Sequence, residues 1–298
     1  VTELGTDEQA KKALGDFASE PERFGAVAWG EDKANAERPG FTSSFADGKL
    51  TAKKAYVINA DRAKSFVVFA QADASKGWSG VDAFLVDASS VKVGERSTTL
   101  GLDAASFGSL SVEGAAAERL SRHALGTPEH ARALCTFFAK NALIMAARAV
   151  GLSRFAFETT REYVDTRKAF GKPIGHFQAV AFNVADRAMD VDAARGLVWR
   201  AASAWDNNDA NALLYTAHAI SFAHEAAMRC GDDGVQLHGG AGFMRDYAVE
   251  KLMRDAKQLQ LCGMTAEHAD QLAAACTLGA PLDPGLVLPT PETQNAFV

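Results

Sequence analysis

From about Phe24 to Val112 apolar and polar residues alternate in short runs, AVAW, KLTAKKAYVI, SFVVFAQAD, AFLVD, VKVG and SLSVE, divided by turn pairs such as Asp47-Gly48. A period of two puts one strand face inward and the other in water, and strands recurring every roughly ten residues favour hairpins over βαβ crossovers. The stretch predicts a small all-β domain, an antiparallel barrel or sandwich. After Thr127 the period changes to three and four. Thr127-Pro128-Glu129 supplies an N-cap, a first-turn proline and an acidic first turn, and Leu143, Ala147, Val150, Phe157 and Val164 share one face of the helix that follows toward Arg167. A second helix starts near Pro173, with Phe177, Val180, Val184, Ala188, Val191 and Val198 on one face before the break at Asp206-Asn207-Asn208. A third covers Ala210 to Cys230 and a fourth Asp255 to Thr277.

The expected fold class is therefore α+β, a β-domain at 21–125 followed by a four-helix bundle at 126–278, with a helix at 1–20 and an extended Pro-bearing tail at 279–298. Lys and Arg number 31 against 37 Asp and Glu, a net charge of -6, which offers nothing to a phosphate backbone or an anionic lipid surface. Nucleic acid is not expected as a partner. Four scattered cysteines with no CxxC pair suggest neither a zinc site nor a disulfide framework. The opening residues VTELGTDEQAKKAL resemble no signal or transit peptide, and no apolar run approaches the ~18 residues of a membrane helix. A cytoplasmic setting away from membranes is expected.

Two glycine-bearing segments join the predicted helices, RKAFGKPIGHFQ (Arg167 to Gln178) and VQLHGGAGF (Val235 to Phe243). Taken alone, Gly239, Gly240 and Gly242 need be no more than a tight turn, and Arg167 no more than a solvated helix-end arginine. A GGxG turn nevertheless lets backbone N–H groups come close to an anion such as a pyrophosphate.

The order is more specific than its parts: a β-domain, then RKxFGKPIxxFQ, VQxHGGxGF and DYxVEKLMRDAK closely resembles the acyl-CoA dehydrogenase family, most clearly from Gly151 to Thr265 and more loosely back to ELGTDEQAKK. The resemblance covers nearly all of this chain but about two-thirds of a usual member, whose N-terminal helical domain of ~100 residues has no counterpart here. It implies FAD held between subunits of a dimer or tetramer. Arg167 would contact the diphosphate, with Phe170 and Gln178 beside the adenosine. Gln236, Gly239 and Gly240 would approach the same cofactor from another chain, and Thr265 and Glu267 would close the adenine and ribose end.

Ordinary members remove the α-proton of an acyl-CoA thioester with a glutamate while the β-hydride passes to the flavin. That glutamate, in the motif YEGT, aligns with Gly263 of LCGMT, and the alternative position used by some relatives aligns with Asn141, beside Ala142. Neither glycine nor an amide can act as the base. Glu158 and Glu162 read as solvated helix-face carboxylates. In the β-domain the flavin-facing threonines are replaced by Trp29, in WGEDKANAER, and by Ile58, in YVINAD, while Trp29 and Tyr56 read as core aromatics. The expectation is an FAD-binding subunit of a heteromeric acyl-CoA dehydrogenase whose partner chain carries the base, with an electron-transfer flavoprotein as acceptor. Two alternatives stand beside it: a homomeric flavoprotein catalysing a reaction on a CoA thioester without α-proton abstraction, and a cofactor-free structural subunit.

Overall fold

The computed structural model describes residues 1–20, 22–31 and 41–280. Most of the WGEDKANAER segment and the tail beyond Ala280 therefore lie outside the described residues. The chain divides into two compact units, the first formed by Val1–Thr99 and Asp103–Phe137, the second by Leu100–Leu102 and the chain from Phe138.

The first unit opens with helix α1 (Asp7–Ser19), started by a capping box in which the Gln9 N–H donates to Thr6 Oγ1 at 3.2 Å and the Thr6 N–H to Gln9 Oε1 at 2.9 Å. Eight strands follow: β1 (Phe24–Ala28), β2 (Ser44–Ala46), β3 (Lys49–Ile58), β4 (Ala63–Gln71), β5 (Val81–Asp87), β6 (Lys92–Arg96), β7 (Phe107–Ala116) and β8 (Glu118–Arg119). They form one sheet in the order β6-β7-β3-β2-β4-β5-β8, with β1 alongside β4. Most ladders are antiparallel as expected, but β1 runs parallel to β4, and the path runs open from β6 to β8, so the sheet is mixed and is not a closed barrel. Asp47 and Gly48, at φ of 51° and 74°, make the two-residue link between β2 and β3 that the Asp-Gly pair predicts. Phe66, Phe69 and Phe84 are fully buried and anchor this unit, each worth about 1.5–3 kcal/mol by burial.

Helix α2 (Pro128–Thr166) crosses the boundary between the units; its Phe137 belongs with the first, the ring 5.4 Å from that of Phe69. By length and composition alone α2 could span a bilayer, with a window of mean hydropathy 1.4, contrary to the reading that no run is long enough; half of that window is buried, as in a core helix. A small hairpin, β9 (Lys168–Ala169) and β10 (Lys172–Pro173), leads to α3 (Gln178–Asp206), α4 (Ala212–His238), α5 (Val249–Leu259) and α6 (Ala266–Leu278). Helix α4 packs against α3, α5 and α6.

Three expectations about the helices are corrected. Helix α4 continues eight residues past Cys230, because Gly231 and Gly234 serve close packing rather than termination: a Cβ on Gly231 would sit 2.9 Å from Met253 Cα of α5. The segment read as a fourth helix is two helices, broken where Gly263 takes φ +81° and Thr265 caps α6. On α2 the buried row is Ala142, Ala146, Ala149, Ser153, Ala156, Thr160 and Val164, while Ala147 is exposed. Small side chains carry that seam because they let neighbouring helices approach closely, and a reading weighted toward large apolar residues is drawn off it.

Candidate functional site

The segment Arg167–Gln178 is a tight hairpin between two long helices. The Ile174 N–H donates to the Arg167 carbonyl at 2.8 Å, and Lys172 and Ala169 pair across the turn. Phe170 sits at the tip with φ +51°, a conformation disfavoured for an aromatic residue, and is 96% exposed. Within its own chain the ring meets Phe177 edge-on at 6.3 Å and otherwise stands in water on a strained backbone. Arg167 and Gln178 are exposed on either side of it.

The second segment closes α4. The Gly239 N–H donates to the Gln236 carbonyl, and Gly239 takes φ +60°, so the turn needs glycine there. Gly242 is glycine for a different reason: a Cβ would lie 2.2 Å from the Val235 carbonyl oxygen. Gly240 meets neither demand. Its φ is not positive and an added Cβ would find nothing within 4 Å, so its bare backbone is open to an external group.

The structure brings these two segments to one end of a single chain through a residue that sequence reasoning missed. Tyr163 stacks on His238 with ring centroids 4.0 Å apart, its hydroxyl donates to the His238 carbonyl at 3.4 Å, and its own carbonyl accepts from the Arg167 N–H at 2.8 Å. Tyr247 closes the group edge-on at 5.6 Å from Tyr163. His238 Nδ1 lies 2.7 Å from the Gly234 carbonyl, which can only accept, so Nδ1 carries the proton; burial holds the imidazole below its usual pKa, opposed by that hydrogen bond. A tyrosine four residues before the arginine and a histidine just before GG were the available signals, and neither has a distinctive spacing.

Thr265 and Glu267 sit apart from this group, at the start of α6. Thr265 accepts from the His268 N–H and so has a capping duty, and the Glu267 carboxyl is held below its usual range by hydrogen bonds from its own backbone and Thr265. Just before them, a Cβ on Gly263 would lie 3.4 Å from Ala142 Cα and 3.5 Å from Met145 Cγ. The two positions that the resemblance assigns to a base, Gly263 and Asn141 beside Ala142, thus converge on one spot of α2. Ala142 and Arg167 are 25 residues apart, or about 37 Å along a helix rising 1.5 Å per residue. Glu158 is committed to Arg154 at 2.8 Å, a solvated pair as expected.

In the first unit, Trp29 is packed edge-on to Phe41 (4.5 Å) and Phe69 (5.1 Å) and stacked with Trp78 (6.2 Å), as a core aromatic should be. Beneath it lies a buried ion pair absent from the sequence reading. Lys54 occupies an inward position of β3 and donates to Glu31 Oε1 (2.9 Å) and the Trp29 carbonyl (3.0 Å), with its ammonium 3.7 Å from the centre of the Phe41 ring. Burial pulls the lysine pKa down to about 8 against the pull of Glu31; burial would raise Glu31, but Lys54 and hydrogen bonds from Ser43 and Thr42 bring it down to about 2. Tyr56 is not core: the register shift between Lys54 and Val57 turns it out at φ +55°, 63% exposed.

The profile of the family described as "Acyl-CoA dehydrogenase, C-terminal domain" matches residues 131–275. The chain is 32% identical over 266 residues to cyclohex-1-ene-1-carbonyl-CoA dehydrogenase of Geobacter metallireducens, an alignment covering 86% of this chain and 69% of that protein. The chain belongs to the acyl-CoA dehydrogenase family. It is also 30% identical to the caffeyl-CoA reductase-Etf complex subunit CarC of Acetobacterium woodii, over 85% of this chain and 68% of that one. Among solved structures, butyryl-CoA dehydrogenase from Megasphaera elsdenii superimposes with a TM-score of 0.82 at 28% identity, covering 92% of this chain and 73% of that one. Acyl-CoA dehydrogenases are flavoproteins and oxidoreductases, and this chain carries the fold of their β-domain and helical domain.

Proposed function

We propose that the chain is an FAD-binding subunit of a heteromeric acyl-CoA dehydrogenase-type oxidoreductase in which another chain carries the catalytic base. The observation that carries this reading is that the spot where Gly263 meets Ala142, beside Asn141 and about 37 Å along α2 from its Arg167 end, offers no carboxylate. An extended dinucleotide cofactor does not bridge that distance. A flavin held by Arg167, Gly239 and Gly240 therefore serves a catalytic centre outside this chain, and the spot in this chain where the base belongs has no carboxylate.

The residues present fit an FAD diphosphate. The exposed Arg167 guanidinium can fork onto phosphate oxygens, and the open backbone at Gly240, beside the left-handed Gly239, admits an anion without steric conflict. Phe170 and Gln178 would lie along the adenosine, with Gln236 on the other side, while Thr265 and Glu267 would belong to the other end of a neighbouring site. When bound, the flavin would accept the β-hydride of an acyl-CoA. The part of this chain is to fix the diphosphate by charge and backbone donors, with Tyr163 and His238 keeping the two segments in register. Trp29 and the Lys54–Glu31 pair fill the β-unit edge where the resemblance expects flavin-facing hydroxyls, which supports a partner that grips the ring. Likeness to a caffeyl-CoA reductase-Etf complex subunit favours an electron-transfer flavoprotein as the acceptor.

The test is the composition and visible spectrum of the protein purified from its native host. A second polypeptide together with flavin absorbance is expected; a colourless homo-oligomer overturns the reading. Asn141→Glu probes the missing base without the left-handed backbone that a side chain at Gly263 would have to adopt. No acyl-CoA-dependent flavin bleaching is expected without the partner, and bleaching by the chain alone would favour a self-sufficient homomeric enzyme.

A further inference from the structure

Helices α2, α3 and α4 meet around a small cavity. Its volume is about 10 Å³, and it is lined by Thr160 of α2, Asn183 and Arg187 of α3 and Gly234 of α4, with Phe157 and Leu237 as apolar walls. The helices approach closely here: a Cβ on Gly234 would sit 3.1 Å from Thr160 Oγ1. Thr160 is 6% exposed, yet its hydroxyl has no hydrogen-bond partner within the protein. A buried helical hydroxyl can donate to the carbonyl one turn earlier, as Ser153 does to Ala149 (2.7 Å) and Thr216 to Ala212 (2.8 Å). Thr160 does not take that bond. Asn183 Oδ1 is buried without a donor in the wall of the same cavity.

The charges around the cavity are already balanced. Arg187 Nη1 donates to Asp233 Oδ2 at 3.0 Å, and its Nε lies 3.2 Å from Asp190 Oδ2 without the alignment of a hydrogen bond. The site therefore calls for neither an anion nor a cation. Asn183 Oδ1 can only accept, so the occupant has to donate, while the Thr160 hydroxyl can do either. A cavity of this size has room for one water, which needs about 10–15 Å³ and two to four polar partners, and for no organic group. The place is not arbitrary. Thr160 comes one turn before Tyr163 on α2, and Gly234, one turn before His238 on α4, is the residue whose carbonyl takes the His238 Nδ1–H at 2.7 Å.

We propose that a single internal water binds where α2, α3 and α4 meet, donating to Asn183 Oδ1 and bonded to Thr160 Oγ1, with the Arg187 Nε–H as its third partner. This water fixes the spacing of α2 and α4 one turn behind the Tyr163–His238 stack. The site is independent of the flavin reading.

The test is a high-resolution crystal structure of the chain together with melting of two variants. A density peak within hydrogen-bond distance of both Thr160 Oγ1 and Asn183 Oδ1 is expected. Thr160→Val keeps the shape of the side chain and removes its hydroxyl. In a hydrated site that takes a partner from the water and lowers the melting temperature; in a dry site it relieves an unsatisfied group and raises it. Amide hydrogen exchange over Gly239–Phe243 should also quicken several-fold in Thr160→Val while exchange in α6 is unchanged, and Thr160→Ser should retain the density peak and the slow exchange. No peak in the wild-type map, a Thr160 hydroxyl bonded to the Ala156 carbonyl instead, or a melting temperature that Thr160→Val leaves unchanged or raises would each overturn the proposal.

Discussion

Two regions of the molecule treat the same chemistry in opposite ways. In the β unit, the edge around Trp29 is closed by the chain's own groups: an aromatic cluster, and a lysine and a glutamate paired below it at 2.9 Å. In the helical unit, the end of α4 is left open, with Gly240 bare, Arg167 exposed and Phe170 turned fully outward. Groups that face inward are explained by stability; an exposed ring on a strained backbone with no register shift to account for it, as at Phe170, points to something outside the chain. The difference separates what this chain keeps for itself from what it offers.

The largest effect should come from opening the closed region. Glu31→Leu leaves Lys54 buried without its carboxylate and should cost about 3–5 kcal/mol, read as a lower denaturant midpoint, while flavin content of the surviving folded protein is unaffected. If the loss is under about 1 kcal/mol, the pair is not closing that edge.

Acid should distinguish the two units next. Burial drives the His224 pKa from its ordinary 6.5 down to about 4, and neither ring nitrogen has a hydrogen-bond partner. The folded state therefore prefers the neutral ring, so stability is complete above pH 6.5 and falls as pH drops toward 4, by about 3 kcal/mol in total. Glu31, held at about 2, keeps its contribution until pH falls below its ordinary 4.5, so the helical unit should weaken first. Urea melts at pH 7 and 4.5 check this, and His224→Leu should flatten the slope between them.

The open region is probed by smaller changes. Arg167→Ala should lower flavin retention ten- to a hundredfold, about 1.5–3 kcal/mol for a charge-assisted contact, with no change in melting temperature. Unchanged flavin content after dialysis would remove Arg167 from the site. The finest contrast lies within one turn. Gly242→Ala must push against the Val235 carbonyl and should destabilise by about 1–3 kcal/mol. Gly240→Ala should leave stability within about 1 kcal/mol of wild type, or raise it slightly, yet reduce flavin retention. Equal destabilisation by both would mean that Gly240 is only a turn residue.

Much of this architecture is legible in the order of the residues. Period-two runs, the Asp47-Gly48 turn, the Thr127-Pro128 cap and the period of α3 each act over a few residues, where propensity and sterics decide locally. The family likeness is legible for the same reason, since its motifs are short segments at helix ends. Lys54 shows the limit: strict alternation puts it inward, but only the fold supplies Glu31, 23 residues away, that makes an inward lysine tolerable.

The sequence by itself determined the element types, the α+β order and the absence of a carboxylate at Gly263 and Asn141, because these depend on residue identity and on neighbours in the chain. Only the tertiary structure decided which glycines are needed by the fold and which are left open, and that Tyr163 and His238 join the two glycine-bearing segments. Each of these is a relation between residues far apart in sequence, and burial or exposure has no value until the chain has folded around it.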